Sequence, residues 1–247
     1  MKIPKLIMQD PCGVRNEDLE VSINQFTETG LWKHQRIVVI IPASAMIPAR
    51  VMLAQAGLVF PPNNRVARIM AMDYEVGHGY SEAIDSVLAH PVLNEWEYIL
   101  TMEHDNCPPP LGVIQLLVAM DARKDLHAIG GLYWIKGEGG MPQIWGDITD
   151  PIQNFRPVPP VPNKIVECWG VAMGFTLFRM SMFKEGKLPR PFFKTNNGLN
   201  TPSSNGVFGM STQDMSFWME ASKHGYKCGV DCSVKVGHYE KERDIIW

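Results

Sequence analysis

The sequence predicts an α/β protein with one mostly parallel central sheet flanked by helices. Strand-length apolar runs alternate with segments of helical period, first at Arg36 to Pro42, then at Arg65 to Tyr74 and at Tyr98 to Met102. The first run is rich in β-branched residues, which is typical of a strand buried on both faces. Because strand-helix-strand units form right-handed crossovers, three such units in succession predict a parallel sheet whose loops share one edge.

Composition and charge fit an ordinary soluble globular protein. The 247 residues are enough for one large core, and 45% of them are apolar and 20% charged. No apolar run reaches membrane-spanning length and no secretory signal is visible, so we expect a cytoplasmic protein without a membrane span. The five scattered cysteines predict reduced thiols. The net charge of −3 gives no general attraction to nucleic acid.

Turn and cap residues set the expected boundaries in the first half of the chain. Pro42, Ala43 and Ser44 end the first strand, and Ser44 is expected to cap a helix that continues to Gly57. The second strand is tipped by Asp73, and a helix from 81 to about 93 follows it. The third strand stops at an acidic tripeptide and three prolines, because proline cannot continue a sheet ladder. A helix from 111 to 120 comes next.

The second half alternates strands with two loose segments. Residues 126–133 predict a strand, and residues 136–164 are irregular and rich in glycine and proline. Residues 167–178 are strand-like with internal glycines, and 186–211 form the second loose segment. A helix over 212–224 and a strand over 227–236 complete the chain. We therefore expect an N-terminal extension over 1–35 and a single domain over 36–247.

The acidic tripeptide Glu103-His104-Asp105 is the first candidate site. Open α/β sheets bind ligands at the carboxyl ends of their strands, which is where this tripeptide lies. Two carboxylates and an imidazole suit a divalent cation that carries phosphates. The alternative is a polar loop with solvated charges, and spacing alone leaves both interpretations open.

The order of these features resembles the GT-A fold of nucleotide-sugar-dependent glycosyltransferases, especially the family 2-like group. Glu103-His104-Asp105 stands where that family carries its DxD motif. Gln213-Asp214, followed by Gly225, resembles its ED-containing helix. The stretch from Val230 to His238 resembles its closing strand with a metal-binding histidine. The resemblance covers most of the chain from residue 36 onward and implies a Rossmann-like GT-A domain.

The resemblance implies a metal-dependent glycosyltransferase. Such an enzyme moves a sugar from a nucleotide-diphosphate sugar, with a UDP-sugar favoured, to a hydroxyl acceptor on a glycan, a protein or a modified nucleobase. Asp105 and His238 would bind Mn²⁺ or Mg²⁺, and Asp214 would be the general base. Glu103 would contact the metal's ligands or the ribose. His104 is included among the nucleotide-binding candidates, although the family's middle position is usually not a ligand and a surface imidazole that binds nothing is the alternative.

The resemblance also places the nucleotide and reveals two departures. The family holds base and ribose at the positions of Pro42, Ala43, Ser44 and Asp73. The alternative for Asp73 is a turn residue without a ligand. The alternative for Asp214 is a residue that caps its helix. Where the family commonly has Arg-Asn, this chain has Tyr80-Ser81, with Arg50 or Lys136 as candidate substitutes. Gln213 replaces the family's glutamate.

Four further points follow from the sequence and the resemblance. The two departures motivate a second hypothesis, a non-catalytic nucleotide or sugar binder that retains the fold. A nucleotidyltransferase is disfavoured because no Gly-rich phosphate loop follows the first strand. Trp145 is a candidate for stacking on an acceptor sugar, with core packing as the alternative. The compact size resembles small GT-A enzymes of bacteria and bacteriophages.

Overall fold

The computed structural model describes residues 35–247 except 45, 64, 138 and 196–211. The predicted extension therefore lies outside the described residues apart from Gln35, as does most of the second loose segment. The strands are β1 (Ile37–Ala43), β2 (Val66–Met72), β3 (Tyr98–Met102), β4 (Asn106–Cys107), β5 (Ala128–Leu132), β6 (Ile144–Asp147), β7 (Ile165–Val171), β8 (Phe175–Arg179), β9 (Cys228–Lys235), β10 (Gly237–Glu240) and β11 (Ile245–Ile246). The helices are α1 (Ala49–Ala56), α2 (Val76–Ala89), α3 (Gly112–Ala122), α4 (Ser181–Lys184) and α5 (Gln213–Lys223), with a 3-10 turn at Leu93–Glu95.

The central sheet has eight strands in the order β2-β1-β3-β8-β5-β9-β7-β6. β1 pairs in parallel with β2 and β3, and β5 pairs in parallel with β9. β8 runs antiparallel between β3 and β5, and β7 runs antiparallel to β9 and β6. Six of the eight strands thus point in one direction, which confirms the predicted mostly parallel α/β sheet. A second sheet joins β11, β10 and β4.

Both faces of the sheet are covered by apolar packing. In β1, Val38 and Ile40 belong to the core cluster beneath α2 and α5, whereas Ile37 and Val39 belong to the cluster beneath α3. Successive side chains of a strand point to opposite faces, so a strand buried on both sides needs the continuous apolar run seen in the sequence. No helix among the described residues is long and apolar enough to span a membrane.

The first strand and first helix differ from the expectation. β1 continues through Pro42, because its last three residues pair with β2 alone and the β3 ladder ends at Ile40, so no hydrogen bond to β3 is lost. The helix begins at Ala49 instead of near Ser44. Pro48 explains this start, since the residue before a proline is disfavoured in helical conformation.

The second helix begins earlier than the predicted Ser81. The carboxylate of Glu75 accepts a hydrogen bond from the backbone N–H of His78 at 2.9 Å and caps α2 at its start. The helix therefore includes the glycines that the sequence suggested would precede it. Gly79 is needed for close packing, because a Cβ there would lie 3.1 Å from the Cβ of Tyr74.

The strand-like segment over 167–178 is two separate strands. β7 pairs with β9, whereas β8 crosses to the gap between β3 and β5. At the turn between them, a Cβ on Gly174 would lie 2.4 Å from Oδ1 of Asn106, so only glycine fits. The irregular segment over 136–164 contains β6, which pairs with β7. The pairing of β4 with β10, which shapes the site, had no signal in the sequence.

Candidate functional site

One edge of the sheet collects the polar residues predicted from the sequence. The carboxyl ends of β2, β1, β3, β5 and β9 meet there because these strands run in the same direction. Asp73 follows β2, Ser44 follows β1 and Glu103 follows β3. Lys136 lies in the loop after β5, and His238 lies in β10, which follows β9. Residues far apart in sequence therefore share one edge.

Asp105 is the centre of this edge. Its Oδ2 forms an ion pair with Nζ of Lys136 and lies 3.6 Å from Nε2 of His238. Its Oδ1 is buried without a hydrogen-bond partner among the described residues. Burial acts to raise the pKa of Asp105, but the contacts with His238 and Lys136 outweigh it and hold the pKa at about 2. The carboxylate is therefore ionised at neutral pH.

His238 is held in place by backbone contacts. Antiparallel pairing of β10 with β4 sets His238 opposite Asn106, and the backbone N–H of Tyr239 donates to the carbonyl of Asp105 at 2.7 Å. Nδ1 of His238 lies 2.7 Å from the carbonyl oxygen of Trp134. Since a carbonyl only accepts, Nδ1 carries a proton and Nε2 is the nitrogen that faces Asp105.

Glu103 is a half-buried residue whose carboxyl group lies in a buried position beside Asp105. Its backbone N–H donates to the carbonyl of Gly174 at 3.1 Å, and its own carbonyl accepts from Nε2 of Gln55 at 2.9 Å. Burial, together with the charges of Asp105 and Asp214, raises the pKa of Glu103 to about 8. Glu103 is therefore largely protonated at pH 7 and can donate a hydrogen bond.

Asp214 lies in the first turn of α5 and is only 8% exposed. Its Oδ1 accepts a hydrogen bond from the backbone N–H of Met215 at 3.0 Å, and the Thr212 side chain also hydrogen-bonds its carboxylate. Burial raises the pKa of Asp214 against these two contacts. Its charge acts on Glu103, so the helix start and the strand tip belong to one electrostatic cluster. The backbone contact with Met215 is compatible with the capping alternative as well.

The predicted nucleotide-binding residues lie together at the ends of β1 and β2. Pro42 and Ala43 are the last residues of β1, and Ser44 is exposed directly after them. The backbone N–H of Asp73 donates to the carbonyl of Ala43 at 2.9 Å, which ties the two strand ends together. Asp73 has a left-handed backbone with φ of 60° and an exposed side chain. Such strained conformations cluster at binding sites, although a turn residue also adopts them.

The remaining candidates differ in their access to this edge. His104 is half-buried in the turn after β3. Tyr80 and Ser81 are buried, and both hydroxyls donate to backbone carbonyls, so neither presents a free polar group. Arg50 is ion-paired with Asp244 at 3.0 Å. Of the two candidate substitutes for the family's arginine, Arg50 and Lys136, it is therefore Lys136 that directly contacts a carboxylate of the site.

Trp145 and Trp169 lie on the neighbouring strands β6 and β7. Both are half-buried, so neither is a fully packed core residue. Nε1 of Trp145 donates to the side-chain oxygen of Gln143 at 3.0 Å, whereas Nε1 of Trp169 is buried without a partner in the part of the chain that the structure describes. The half-exposed ring of Trp145 is compatible with the predicted stacking role.

The donor atoms around Asp105 fit a divalent cation that takes the rest of its coordination shell from a bound phosphate compound and water. The described residues contain no group of three or more His, Cys, Asp or Glu side chains with metal-binding geometry. Asp105 and His238 supply one oxygen donor and one nitrogen donor, and Oδ1 of Asp105 is left over as a buried oxygen. Mg²⁺ and similar ions commonly take one or two protein ligands and complete their shell with phosphate oxygens and water. The backbone contact of Nδ1 is also the usual second contact of a metal-binding histidine.

Two residues of this cluster were missed by sequence reasoning. Asn106 is fully buried, and both atoms of its amide group are unpartnered among the described residues. Tyr133 accepts a hydrogen bond from the N–H of Gly174 at 2.9 Å and packs edge-on against His238, with ring centroids 5.4 Å apart. The sequence contained a signal for Tyr133, because this residue directly follows the apolar run that forms β5. None existed for Asn106, because its burial depends on the pairing of β4 with β10.

Comparisons with known proteins give similarity in structure alone. No family model matches the sequence, and no curated protein matches it. The crystal structure of A197 from STIV superposes with a TM-score of 0.58 at 15% identity, covering 86% of this chain and 93% of that one. The crystal structure of GalNAc-T7 with UDP, GalNAc and Mn²⁺ gives a TM-score of 0.53 at 11% identity, covering 83% of this chain and 44% of GalNAc-T7.

These values show the fold and no closer relationship. The chain spans less than half the length of GalNAc-T7, and both identities are too low to carry function. The chain has a GT-A-like α/β fold, which agrees with the resemblance seen in the sequence, and the comparison does not single out the family 2-like group.

Proposed function

We propose that the chain is a metal-dependent glycosyltransferase that moves a sugar from a nucleotide-diphosphate sugar to a hydroxyl acceptor. The observation that carries the proposal is the meeting of Asp105 and His238 from distant parts of the chain, 3.6 Å apart, on the ligand-binding edge of a GT-A-like sheet. The buried Asp214 supports it, because its charge reaches the same cluster.

The proposed chemistry assigns separate tasks to the two acidic positions. Cleavage of the sugar–phosphate bond leaves negative charge on the diphosphate, which a cation held by Asp105 and His238 would stabilise. Asp214 would accept the proton of the acceptor hydroxyl as that oxygen attacks the sugar. A pKa raised by burial suits this task, since a more basic carboxylate accepts a proton more readily.

The donor is proposed to bind across the ends of β1 and β2. Ser44 and Asp73 would contact base and ribose, with Pro42 and Ala43 as the wall of the site. The carboxylate of Asp73 is exposed and can accept hydrogen bonds from a uracil-type N–H or from ribose hydroxyls. A UDP-sugar is therefore the favoured donor, and GalNAc-T7, with the similar fold, was crystallised with UDP.

The acceptor is proposed only as a hydroxyl group on a glycan, a protein or a modified nucleobase. The half-exposed Trp145 would provide a stacking surface for a sugar ring. A nucleic-acid acceptor is less favoured, because a net charge of −3 provides no general electrostatic attraction to phosphates.

The second candidate is a non-catalytic binder of nucleotides or sugars. It is favoured by the burial of Tyr80 and Ser81, which leaves no cationic side chain at the position where the family commonly has Arg-Asn. The presence of Asp105, His238 and Asp214 in one cluster favours the enzyme.

Thermal denaturation against a panel of nucleotide sugars, with Mn²⁺ and separately with EDTA, tests the proposal. We expect one donor to raise the melting temperature in the presence of Mn²⁺ only, because a ligand that binds the folded chain stabilises it. Release of UDP from that donor, measured with Mn²⁺, then separates an enzyme from a binder. A donor that stabilises the chain equally in EDTA would contradict the metal-dependent mechanism.

A further inference from the structure

The ammonium group of Lys136 already covers the Asp105 oxygen that faces His238, which a divalent cation held by both of these side chains would use. Nζ of Lys136 is ion-paired with Oδ2 of Asp105, the same oxygen that lies 3.6 Å from Nε2 of His238. The side chains of Lys136 and Asp105 are 33% and 20% exposed, so both are accessible to a small ligand. An ammonium and a divalent cation repel each other at this range and therefore compete for one oxygen.

The loop that carries Lys136 leaves space around two of its glycines. Gly137 and Gly139 have φ values of +105° and +74°, a region that favours glycine. A Cβ at either position would meet no described atom within 4 Å, so no described side chain packs over the loop at these points. The long unbranched stem of lysine adds further freedom.

A lysine displaced from Asp105 needs a new anionic partner. A divalent cation that reaches Asp105 with a nucleotide brings a diphosphate to the same place. A nucleoside diphosphate with a free terminal phosphate, such as UDP, carries more negative charge than one divalent cation neutralises, and ammonium groups are common phosphate ligands. Because Tyr80 and Ser81 are buried with their hydroxyls already bonded, they do not compete for this role.

We propose that Lys136 is a diphosphate-binding residue that exchanges partners, pairing with Asp105 in the free chain and with the diphosphate once a divalent cation occupies Asp105. This inference rests on the proposed function, since it takes Asp105 as the metal ligand. Beyond that function, the inference gives Lys136 a role in binding the diphosphate. It also gives an order of events, in which the cation displaces the ammonium group of Lys136 from Asp105.

The first test measures Mn²⁺ binding to the nucleotide-free chain by electron paramagnetic resonance. Lys136→Met keeps the length of the stem and removes the charge, so we expect it to bind Mn²⁺ about tenfold more tightly than the wild type. Lys241→Met, which removes an exposed charge three residues after His238, is the matched control and should leave the affinity unchanged. If Lys136→Met and the wild type bind Mn²⁺ with equal affinity, the exchange of partners by Lys136 is overturned, whereas the metal site is retained. Absence of Mn²⁺ binding in both overturns the metal site as well.

The second test measures UDP affinity by calorimetry at saturating Mn²⁺. Lys136→Met should weaken UDP binding about tenfold, because a charge-assisted hydrogen bond to the diphosphate is lost. Lys136→Arg keeps a cation and should retain most of the affinity, and Lys241→Met should bind UDP like the wild type. Unchanged UDP affinity in Lys136→Met overturns the diphosphate role.

Discussion

The two edges of the central sheet both carry charged side chains at strand ends, but they use them differently. At the edge where β1 and β3 begin, Arg36 pairs with Glu97, and the guanidinium of Arg179 donates to the backbone carbonyls of Met120 in α3 and Leu126 before β5. At the opposite edge, Oδ1 of Asp105 and the amide of Asn106 are buried without partners among the described residues. Within the described part of the chain, the charged side chains at the first edge are partnered and the unpartnered buried oxygen belongs to the neutral Gln35, whereas at the second edge an oxygen of a charged carboxylate is among the unpartnered groups and is left for a ligand or ordered water.

Two aspartates show that a lowered pKa alone does not identify the site. The pKa of Asp125 is held at about 2 by the guanidinium of Arg123, on the exposed surface. The pKa of Asp105 is also about 2, but there burial opposes the shift and the contacts with His238 and Lys136 outweigh it. The difference lies in the unpartnered buried oxygen of Asp105, which costs free energy unless a ligand uses it. The predictions below test this contrast.

Asp105→Ala should have the largest effect on ligand binding. Removing the carboxylate takes away the oxygen donor of the proposed metal site, so we expect metal-dependent stabilisation by UDP or a UDP-sugar to disappear. The chain should still unfold cooperatively, which circular dichroism can check. Asp125→Ala is the matched control at the other edge, because it removes an ion-paired aspartate with a similar pKa and should leave metal-dependent binding intact. Unchanged Mn²⁺-dependent affinity in Asp105→Ala rules out this assignment.

Asp214→Asn should lower turnover by roughly 10²-fold or more with donor affinity retained, if Asp214 is the general base. The amide keeps the shape of the carboxylate and can still accept from the N–H of Met215, so helix α5 should be preserved. Steady-state kinetics with the identified donor, together with UDP calorimetry, separates loss of proton transfer from loss of binding. Full activity would remove Asp214 from the mechanism or indicate a retaining reaction.

Arg179→Met should affect stability alone. The arginine donates to the carbonyls of Leu126 and Met120 at 2.9 and 2.6 Å, and losing these charged hydrogen bonds should lower the free energy of unfolding by about 1–3 kcal/mol. Urea denaturation measures this change. Mn²⁺ and UDP affinities should match the wild type, since the residue lies at the opposite edge. A stable variant with weakened ligand binding would contradict the division of roles between the two edges.

Sequence patterns were sufficient for the fold class because alternation of strands and helices is a local property. The third strand, from Tyr98 to Met102, was predicted with its observed bounds, since its apolar run stops abruptly at charged residues and prolines. The predicted start of α1 was wrong, because Pro48 disfavours a helical backbone at the residue before it. The crossing of β8 into the sheet could not be predicted, because pairing between distant strands depends on packing that has no local pattern.

The candidate site was only partly accessible to sequence reasoning for the same reason. Asp105 and Asp214 stand at the ends of predicted elements, so their positions followed from the pattern. The contact of Lys136 with Asp105 depends on a glycine-rich loop whose path the sequence does not specify. The burial of Asn106 depends on the pairing of β4 with β10, which joins residues more than a hundred positions apart. The roles of the predicted site residues remain predictions that these variants test.

Glu103→Gln should change the pH dependence of stability. An acid whose pKa is raised from 4.5 to about 8 on folding binds more protons in the folded chain across that window. The free energy of unfolding of the wild type should therefore fall as pH rises from about 4.5 to about 8. Asp105 acts in the opposite sense, because its lowered pKa gives stability that is present above about pH 4 and lost toward pH 2.

Glutamine cannot ionise, so Glu103→Gln should remove the loss of stability between pH 4.5 and 8 that comes from Glu103. Melting temperatures measured in EDTA should coincide with the wild type near pH 4.5 and exceed it by a margin that grows up to pH 8. EDTA is needed because a bound cation would stabilise the ionised carboxylate and mask the effect. Glu97→Gln is the comparison at the other edge and should lower stability at neutral pH, since it breaks the pair with Arg36. Parallel pH profiles of Glu103→Gln and wild type would mean that the ionised carboxylate is already compensated, and the contrast between the two edges would then rest on Asp105 and Asn106 alone.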